Sequence, residues 1–333
     1  TLIEQLLPML RQRGLRIGVV KHDAHGLTLD HPGKDSDRLF RAGADLFIHD
    51  AEQALGRIHR PASFTLHGLL RRLATDYDLI IVEGHKETPL PIKFWLCRAD
   101  EAAPPPEIPR ITRVLQWTEA RADIALAEIT AWLEHFWATM PVHAGILIGG
   151  KSSRMEQPKH LLDLRGVTWL EHIVRTVQAQ VASVVIIGNG EIPEALRDLP
   201  ILPDAPDAVG GPVGGMRAAM RWAPQSGWLF IACDQPLISP AAIAWLLGQR
   251  RPGVRAIMPV LPGRTIPEPL LAWYDFRMAA ALETVRRPLD LVSLAGVITP
   301  PIPKELAAAW RNFNTPQDVS EISAESTKPM TGV

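Results

Sequence analysis

One stretch of the chain joins a buried strand to a loop whose residues are suited to bind phosphate. The apolar strand at residues 145–148 leads directly into residues 149–155, which read G-G-K-S-S-R-M. Two glycines after a strand let backbone N–H groups approach anionic oxygens closely, and hydroxyl and cationic side chains add donors. The spacing is neither a dinucleotide fingerprint nor a Walker loop, because no third glycine follows and the lysine is wrongly placed. A different kind of phosphate-binding loop is therefore predicted.

Two later segments carry oxygen and amide groups at positions where ligands bind. Asp234 follows the strand predicted at 228–233, and a carboxylate at the carboxyl end of a strand faces the ligand side of an open α/β sheet. Mg²⁺ usually takes one or two carboxylates together with substrate phosphates. Asn312 and Asn314 place two amides on one side of an extended segment. Taken alone, the first pattern is more often a helix start and the second a turn, so only their combination with the glycine loop indicates a site.

In this order and spacing, residues 144–319 resemble molybdenum cofactor guanylyltransferase. The resemblance rests on the glycine loop with Lys159, on I-G-N at 187–189 and L-P-D at 202–204, and on G-P-V-G-G at 211–215, C-D-Q-P at 233–236 and N-F-N-T-P at 312–316. It implies an enzyme that joins GMP from GTP to molybdopterin with release of pyrophosphate, using Mg²⁺.

The resemblance also assigns roles to single residues. Arg154, Lys159 and Asp234 are implied to be catalytic, with Asp234 holding the metal ion. Asn312 and Asn314 are implied to position the pterin or its phosphate. The implied nucleotide-binding residues are Leu147, Ile148, Gly149, Gly150, Ser152, Lys159, Asn189 and Asp204.

Glu156 departs from the pattern, since the family usually has glycine at this position. A carboxylate beside a triphosphate is repulsive, and a side chain there restricts the loop. We therefore expect Glu156→Gly to raise catalytic efficiency. Two other functions stay open: a cytidylyltransferase of the same fold, and a non-catalytic carrier of molybdopterin. Against the cytidylyltransferase, the loop reads L-I-G-G rather than L-A-A-G.

The first 138 residues resemble the GTP-binding adapter protein of molybdopterin-guanine dinucleotide biosynthesis, a P-loop protein. The matching segments are T-L-I-E at 1–4, V-V-K-H at 19–22, P-G-K-D-S at 32–36, R-A-G-A at 41–44 and V-E-G-H-K at 82–86. In that family the glycine-rich loop lies before the position of Thr1, so we expect residues 1–138 to bind GTP weakly. Glu83 is either a Mg²⁺ ligand or a helix cap. The histidines and aspartates of residues 22–31 fit no standard zinc spacing and are interpreted as a solvated loop.

Alternating helices and short apolar strands must position all these residues, which predicts an α/β protein. We expect an incomplete P-loop-type domain at 1–138, a link at 139–143, a doubly wound Rossmann-like nucleotidyltransferase domain at 144–319 and a frayed tail at 320–333. In the second domain a Pro/Gly loop at 203–215 is predicted to precede a helix at 216–222.

The length of the chain agrees with two domains, and its charge and hydropathy argue against DNA or a membrane as a partner. A chain of 333 residues is too long for one ordinary core. The net charge of −1 gives no electrostatic case for DNA, and no apolar run approaches the ~20 residues of a membrane span. Two distant cysteines, Cys97 and Cys233, favour a reducing, cytoplasmic setting. The expected partners are GTP, molybdopterin, and the molybdoenzymes or their chaperones that receive the product.

Overall fold

The computed structural model of the chain describes residues 1–22, 31–59, 64–101, 103–117, 120–149, 157–203, 211–315 and 317–318. It separates into two compact units, Thr1–Ile129 and Thr130–Val333. Each unit is a mixture of helices and strands, so the α/β fold class predicted from the sequence is confirmed.

The N-terminal unit begins with an amphipathic helix. The Thr1 hydroxyl accepts a hydrogen bond from the backbone N–H of Glu4, and the Glu4 carboxylate accepts one from the amino group of Thr1. These two bonds fix the helix start. Its helices are α1 (Leu2–Arg11), α2 (Asp35–Arg41) and α3 (Leu66–Leu73), and α4 (Arg121–Thr139) runs on into the second unit. Its strands are β1 (Ile17–Lys21), β2 (Leu46–His49), β3 (Ala54–Arg57), β4 (Leu79–Glu83), β5 (Phe94–Leu96) and β6 (Arg113–Leu115).

These six strands form three pairs. Strands β1 and β4 are parallel, as are β5 and β6, whereas β2 and β3 form an antiparallel hairpin. The alternation of elements predicted a parallel sheet here, and β2 does not follow that prediction. The reason is local, because the Asp50 carboxylate accepts hydrogen bonds from the N–H groups of Glu52 and Gln53 and so closes a tight turn between the two strands.

The C-terminal unit is built on a mixed sheet of seven described strands, in the order β11-β10-β7-β12-β14-β13-β15. Strand β14 is antiparallel to both its neighbours, and the other pairings are parallel. The sheet strands are β7 (Val142–Leu147), β10 (Ser183–Ile187), β11 (Ile201–Leu202), β12 (Gly227–Ala232), β13 (Ala256–Ile257), β14 (Ala272–Tyr274) and β15 (Val297–Ile298), and a separate hairpin joins β8 (Asp163–Leu164) to β9 (Val167–Thr168).

Helices cover this sheet, and short 3₁₀ helices connect many of its elements. The α-helices are α5 (Trp169–Val177), α6 (Pro212–Trp222), α7 (Pro240–Leu247) and α8 (Ala279–Leu282). The 3₁₀ helices are Lys159–Leu161, Gln178–Gln180, Glu194–Leu196, Phe276–Met278, Pro288–Leu291 and Lys304–Trp310. No helix among the described residues is both long and apolar enough to cross a membrane.

Two boundaries differ from those expected. The predicted link at 139–143 does not separate the two units, because they divide within α4, between Ile129 and Thr130, and only Met140 and Pro141 lie between the end of α4 and the start of β7. The G-P-V-G-G segment, predicted as loop, is instead the N-cap and first turn of α6, which starts four residues earlier than the predicted 216. Pro212 at the first helical position suits a helix start, and the buried Gly214 and Gly215 let the turn pack closely.

The core of the C-terminal unit lies on the central strands. Leu229, Phe230 and Ile231 of β12 and Ile146 of β7 have no exposed surface. One face packs against α6 and α8 through a cluster that includes Met216. Burial on both faces is the pattern of a covered, largely parallel sheet, so the carboxyl ends of β7, β10 and β12 are held at one well-defined edge.

Candidate active site

Three side chains from distant parts of the chain meet at this edge. The Lys159 ammonium lies 3.2 Å from Oδ2 of Asp234 and 2.6 Å from Oδ1 of Asn314. Lys159 begins a 3₁₀ helix, Asp234 follows β12, and Asn314 comes after the last 3₁₀ helix. The side chains of Lys159 and Asp234 are only 17% and 21% exposed, so their charges are partly removed from water. The structure thus brings together three of the residues that the sequence singled out.

The carboxylate of Asp234 is positioned by the backbone on both sides of it. Cys233 donates its N–H to the Leu147 carbonyl at 3.1 Å, which continues the β7–β12 ladder by one residue. The Asp234 carbonyl accepts the N–H of Phe313 at 2.9 Å, which ties the asparagine segment to the strand end. One carboxylate oxygen, Oδ1, is buried and has no hydrogen-bond partner among the residues that the structure describes. A buried carboxylate oxygen without a partner is suited to a cation.

A small apolar cluster lies beneath the three polar groups. Leu162, Trp169 and Phe313 are buried together, with Leu164 and Leu237 packed against them. The rings of Trp169 and Phe313 meet edge to face, with centroids 6.1 Å apart. This cluster joins the segments that carry Lys159, Asp234 and Asn314, so it fixes their spacing. Sequence reasoning missed it, although an aromatic residue between two exposed asparagines in an extended segment must point the opposite way.

Four of the predicted nucleotide-binding residues, Leu147, Ile148, Gly149 and Asn189, lie at or just after the ends of β7 and β10. Gly149 and Asn189 are exposed there. The Ile148 N–H donates to the Ile187 carbonyl at 2.8 Å, and the Leu147 carbonyl accepts from the Cys233 N–H. Both groups are therefore used by the sheet. A ligand could bind only the remaining backbone groups of these residues.

Gly188 is required at this place. Its φ is +115°, and a Cβ would lie 2.0 Å from the Ile148 carbonyl oxygen. A residue with a side chain would therefore force the ends of β7 and β10 apart, which would displace the segment that carries Asn189.

Part of the predicted site falls outside the described residues, and so does the departure from the family at Glu156. The site residues concerned are Gly150, Ser152, Arg154 and Asp204.

A cleft of about 410 Å³ opens beside Asn314. Its lining includes both asparagines of the N-F-N segment, two arginines and one carboxylate. The lining residues are Leu261, Arg264, Glu268, Ala307, Trp310, Arg311, Asn312 and Asn314.

Both units of the chain are similar to known protein families. Residues 144–295 match the MobA-like NTP transferase domain, and residues 1–116 match molybdopterin guanine dinucleotide synthesis protein B. A probable molybdenum cofactor guanylyltransferase from Bacillus cereus is 34% identical over 144 residues, which are 42% of this chain and 71% of that protein. The chain belongs to the molybdenum cofactor guanylyltransferase family. Its C-terminal unit is a nucleotidyltransferase of molybdenum cofactor biosynthesis.

The chain is also similar to a second relative and to a solved structure. A probable molybdenum cofactor guanylyltransferase from Bacillus mycoides is 33% identical over 137 residues, which are 40% of this chain and 68% of that protein. The crystal structure of molybdopterin-guanine dinucleotide biosynthesis protein A from Archaeoglobus fulgidus is 23% identical, with a TM-score of 0.46, and covers 56% of this chain and 100% of its own.

Cys233 adjoins Asp234 in the nucleotidyltransferase unit, and its thiol is unsuited to act as a nucleophile. Burial raises the pKa of its thiol to about 12, and the negative charge of Asp234 adds to the effect. A thiol with such a pKa stays protonated near neutral pH, which agrees with its interpretation as a buried residue at a strand end.

The N-terminal unit also ends two parallel strands in polar residues. Lys21 and Glu83 are register partners at the ends of β1 and β4, and their charged groups are 4.0 Å apart. The rings of His22 and His85 lie beside them, with centroids 4.6 Å apart. Residues 23–30, which hold most of the predicted histidine and aspartate cluster, lie outside the described residues.

Proposed function

We propose that the C-terminal unit transfers GMP from GTP to molybdopterin and releases pyrophosphate. The observation that carries this proposal is the meeting of Lys159, Asp234 and Asn314 at the carboxyl edge of the sheet, where open α/β sheets bind ligands. The names of the relatives, which are probable molybdenum cofactor guanylyltransferases, support guanine as the base and the molybdenum cofactor precursor as the acceptor.

Asp234 is the residue that would hold Mg²⁺. Its Oδ2 contacts the Lys159 ammonium, while its buried Oδ1 is without a partner among the described residues and is therefore available to a cation. A hard carboxylate oxygen at a sheet edge that receives phosphates fits the ligand preference of Mg²⁺. When bound, the ion supplies Lewis-acid stabilisation of the negative charge on the phosphates.

The reaction needs no nucleophile from the protein. An oxygen of the terminal phosphate of molybdopterin forms a bond to the α-phosphorus of GTP, while the bond from that phosphorus to the bridging oxygen breaks. Pyrophosphate leaves with the electron pair. Negative charge grows on this leaving group, and the Lys159 ammonium, oriented by Asp234 and Asn314, stabilises it.

The nucleotide is assigned to the side of the edge formed by β7 and β10. Gly149 and Asn189 are exposed there, and the loop that follows Gly149 continues with Gly150, Ser152 and Arg154. Loop amides, a hydroxyl and a guanidinium together are suited to a triphosphate. Asp204, which follows β11 two residues later, is assigned to the same nucleotide pocket, and Asn312 and Asn314 to the acceptor on the opposite side.

The direct test is pyrophosphate release by the full chain with Mg²⁺, molybdopterin and either GTP or CTP, with the dinucleotide product identified by mass. We expect release with GTP that requires molybdopterin and stops when EDTA is added. For the variant Asp234→Asn, the matched control is Asp198→Asn, because Asp198 is exposed and lies away from the strand end that carries Asp234.

Two results would contradict the proposal. Turnover with CTP but not with GTP would make the chain a cytidylyltransferase. Tight binding of molybdopterin without pyrophosphate release from either nucleotide would make it a carrier.

A further inference from the structure

The cleft beside Asn314 lies at the same edge of the sheet as Asp234. Strand β13 and strand β12 are both antiparallel to β14, so they run in the same direction. The segment that follows β13, which contains Glu268, therefore emerges on the side where Asp234 follows β12. The opposite wall comes from the end of the 3₁₀ helix Lys304–Trp310 and the residues after it.

The cleft and the nucleotide side lie on opposite sides of Asp234. In the sheet, β7 and β10 lie on one side of β12, and β14 and β13 lie on the other. Asn314 connects the cleft to the reacting groups, because its side chain accepts a hydrogen bond from Lys159 and it also lines the cleft. A molecule in the cleft would thus reach the reacting phosphates from the side opposite the nucleotide. A volume of about 410 Å³ is enough for a bicyclic ring system.

Glu268 is the one carboxylate in this lining. It is half-buried, and its backbone is fixed by a hydrogen bond of 2.7 Å from its N–H to the Pro259 carbonyl. In the part of the chain that the structure describes, no group donates a hydrogen bond to its carboxylate. Burial raises the pKa of the carboxyl, and the charge of Arg264 opposes the rise. Such a carboxylate gains free energy from a ligand that supplies N–H donors.

The pterin ring supplies such donors. Its 2-amino group and its N3–H lie side by side on one edge, and a carboxylate accepts two parallel N–H bonds. We propose that Glu268 is the specificity-determining residue that binds this edge of the pterin of the acceptor substrate. The inference rests on the proposed function, because it names the residue that would recognise the acceptor. Arg264 and Arg311 in the same lining supply cations for an acceptor that carries phosphate.

Guanine presents the same pair of donors, so the base of GTP is the competing ligand for Glu268. The position of the cleft favours the pterin, since β7 and β10 lie on the other side of Asp234. The two ligands can be separated experimentally, because a loss of guanine recognition would appear in the KM for GTP and a loss of pterin recognition would not.

The experiment measures how tightly two fluorescent probes bind to the full chain. The probes are 6-hydroxymethylpterin monophosphate and the corresponding lumazine, in which an oxo group replaces the 2-amino group. The wild-type chain should bind the pterin about tenfold tighter or more, because the lumazine oxygen faces the carboxylate with an acceptor. Glu268→Gln should weaken pterin binding about tenfold and strengthen lumazine binding, since the glutamine amide can donate to the oxo group.

Glu305→Gln is the matched control, because Glu305 is exposed on the 3₁₀ helix that forms the opposite wall but does not line the cleft. It should leave both affinities at the wild-type values. Equal affinity of the wild-type chain for the two probes would overturn the inference without any variant. So would a rise in the KM for GTP in Glu268→Gln with pterin binding unchanged. Probe binding needs no nucleotide, so a preference for CTP would contradict the proposed function and leave this measurement valid.

Discussion

Two sheet edges of the molecule each bring a lysine close to a carboxylate that lies at or just after the end of a strand, and they differ in how firmly those groups are held. In the N-terminal unit, Lys21 and Glu83 are 4.0 Å apart on side chains that are 66% and 49% exposed. In the C-terminal unit, Lys159 and Asp234 are 3.2 Å apart and mostly buried, and Asn314 fixes the lysine from a third segment.

The difference shows what turns a polar strand end into a site for chemistry. An exposed ion pair is worth little, because water and salt screen it and both side chains keep alternative conformations. A partly buried pair on a covered sheet is held in one geometry, and its field is screened less. The C-terminal edge is thus organised before a ligand arrives, whereas the N-terminal edge, as its described residues stand, is not.

The largest effect is expected at the carboxylate. Asp234→Asn should reduce nucleotidyl transfer about a thousandfold, on the order of 4 kcal/mol, because the neutral amide removes the charge that would hold Mg²⁺. Glu83→Gln, the same change at the N-terminal edge, should leave transfer unchanged. Pyrophosphate release at limiting Mg²⁺ measures both, with circular dichroism to confirm folding. Equal losses in the two variants would remove the distinction between the edges.

The second effect concerns the two lysines. Lys159→Ala should lower kcat/KM for GTP about tenfold or more, about 1.4 kcal/mol, because the ammonium stabilises charge on the leaving pyrophosphate. Lys21→Ala should have no effect on the reaction, and Lys304→Ala controls for the loss of a surface lysine in the same unit. Steady-state kinetics with GTP varied will decide. Wild-type kcat/KM in a folded Lys159→Ala variant would mean that the ammonium takes no part.

The position of Asp234 could be predicted from the sequence, because a residue that follows a strand of an open α/β sheet lies at its ligand edge. Lys159 and Asn314 follow no strand directly, so their roles came from the resemblance to the family, and the contacts of Lys159 with Asp234 and Asn314 are findings of the structure. The start of α6 at Pro212 was missed, because repeated glycines resemble a loop until their burial against the sheet is seen. The cleft of Glu268 could not be predicted, since its walls are a loop and the end of a 3₁₀ helix about forty residues further along the chain, and no local sequence pattern records their contact.

A smaller effect separates the two asparagines. Asn314→Ala should lower kcat about threefold to tenfold, because the lysine would lose one hydrogen bond of about 0.5–1.5 kcal/mol that orients it. Asn312→Ala should mainly raise the KM for molybdopterin, since Asn312 lines the cleft without contacting Lys159 in the described structure. Kinetics with molybdopterin varied distinguish the two patterns. The same change in kcat for both variants would mean that Asn314 does not act through the lysine.

The smallest expected effect is on stability, and it involves two histidines that take no part in the candidate site. His143 and His172 are half-buried in the C-terminal unit, and burial lowers the pKa of both below the ordinary value of about 6.5. The Nδ1 of His143 lies 2.8 Å from the Ser183 hydroxyl, and the His143 ring lies against those of Trp222 and Trp228. Protonation would place a charge among these aromatic rings.

The sign of the pH dependence follows from these lowered values. Between the folded pKa and about pH 6.5 the unfolded chain binds more protons than the folded one, so this contribution to stability is complete above pH 6.5 and is lost as the pH falls. Thermal unfolding should therefore shift to lower temperature from pH 7.5 to pH 5.5. The double variant His143→Gln and His172→Gln should flatten that slope, whereas His49→Gln, at an exposed position in the N-terminal unit, should not. Identical slopes in the wild-type chain, the double variant and His49→Gln would show that His143 and His172 do not contribute to the pH dependence of stability.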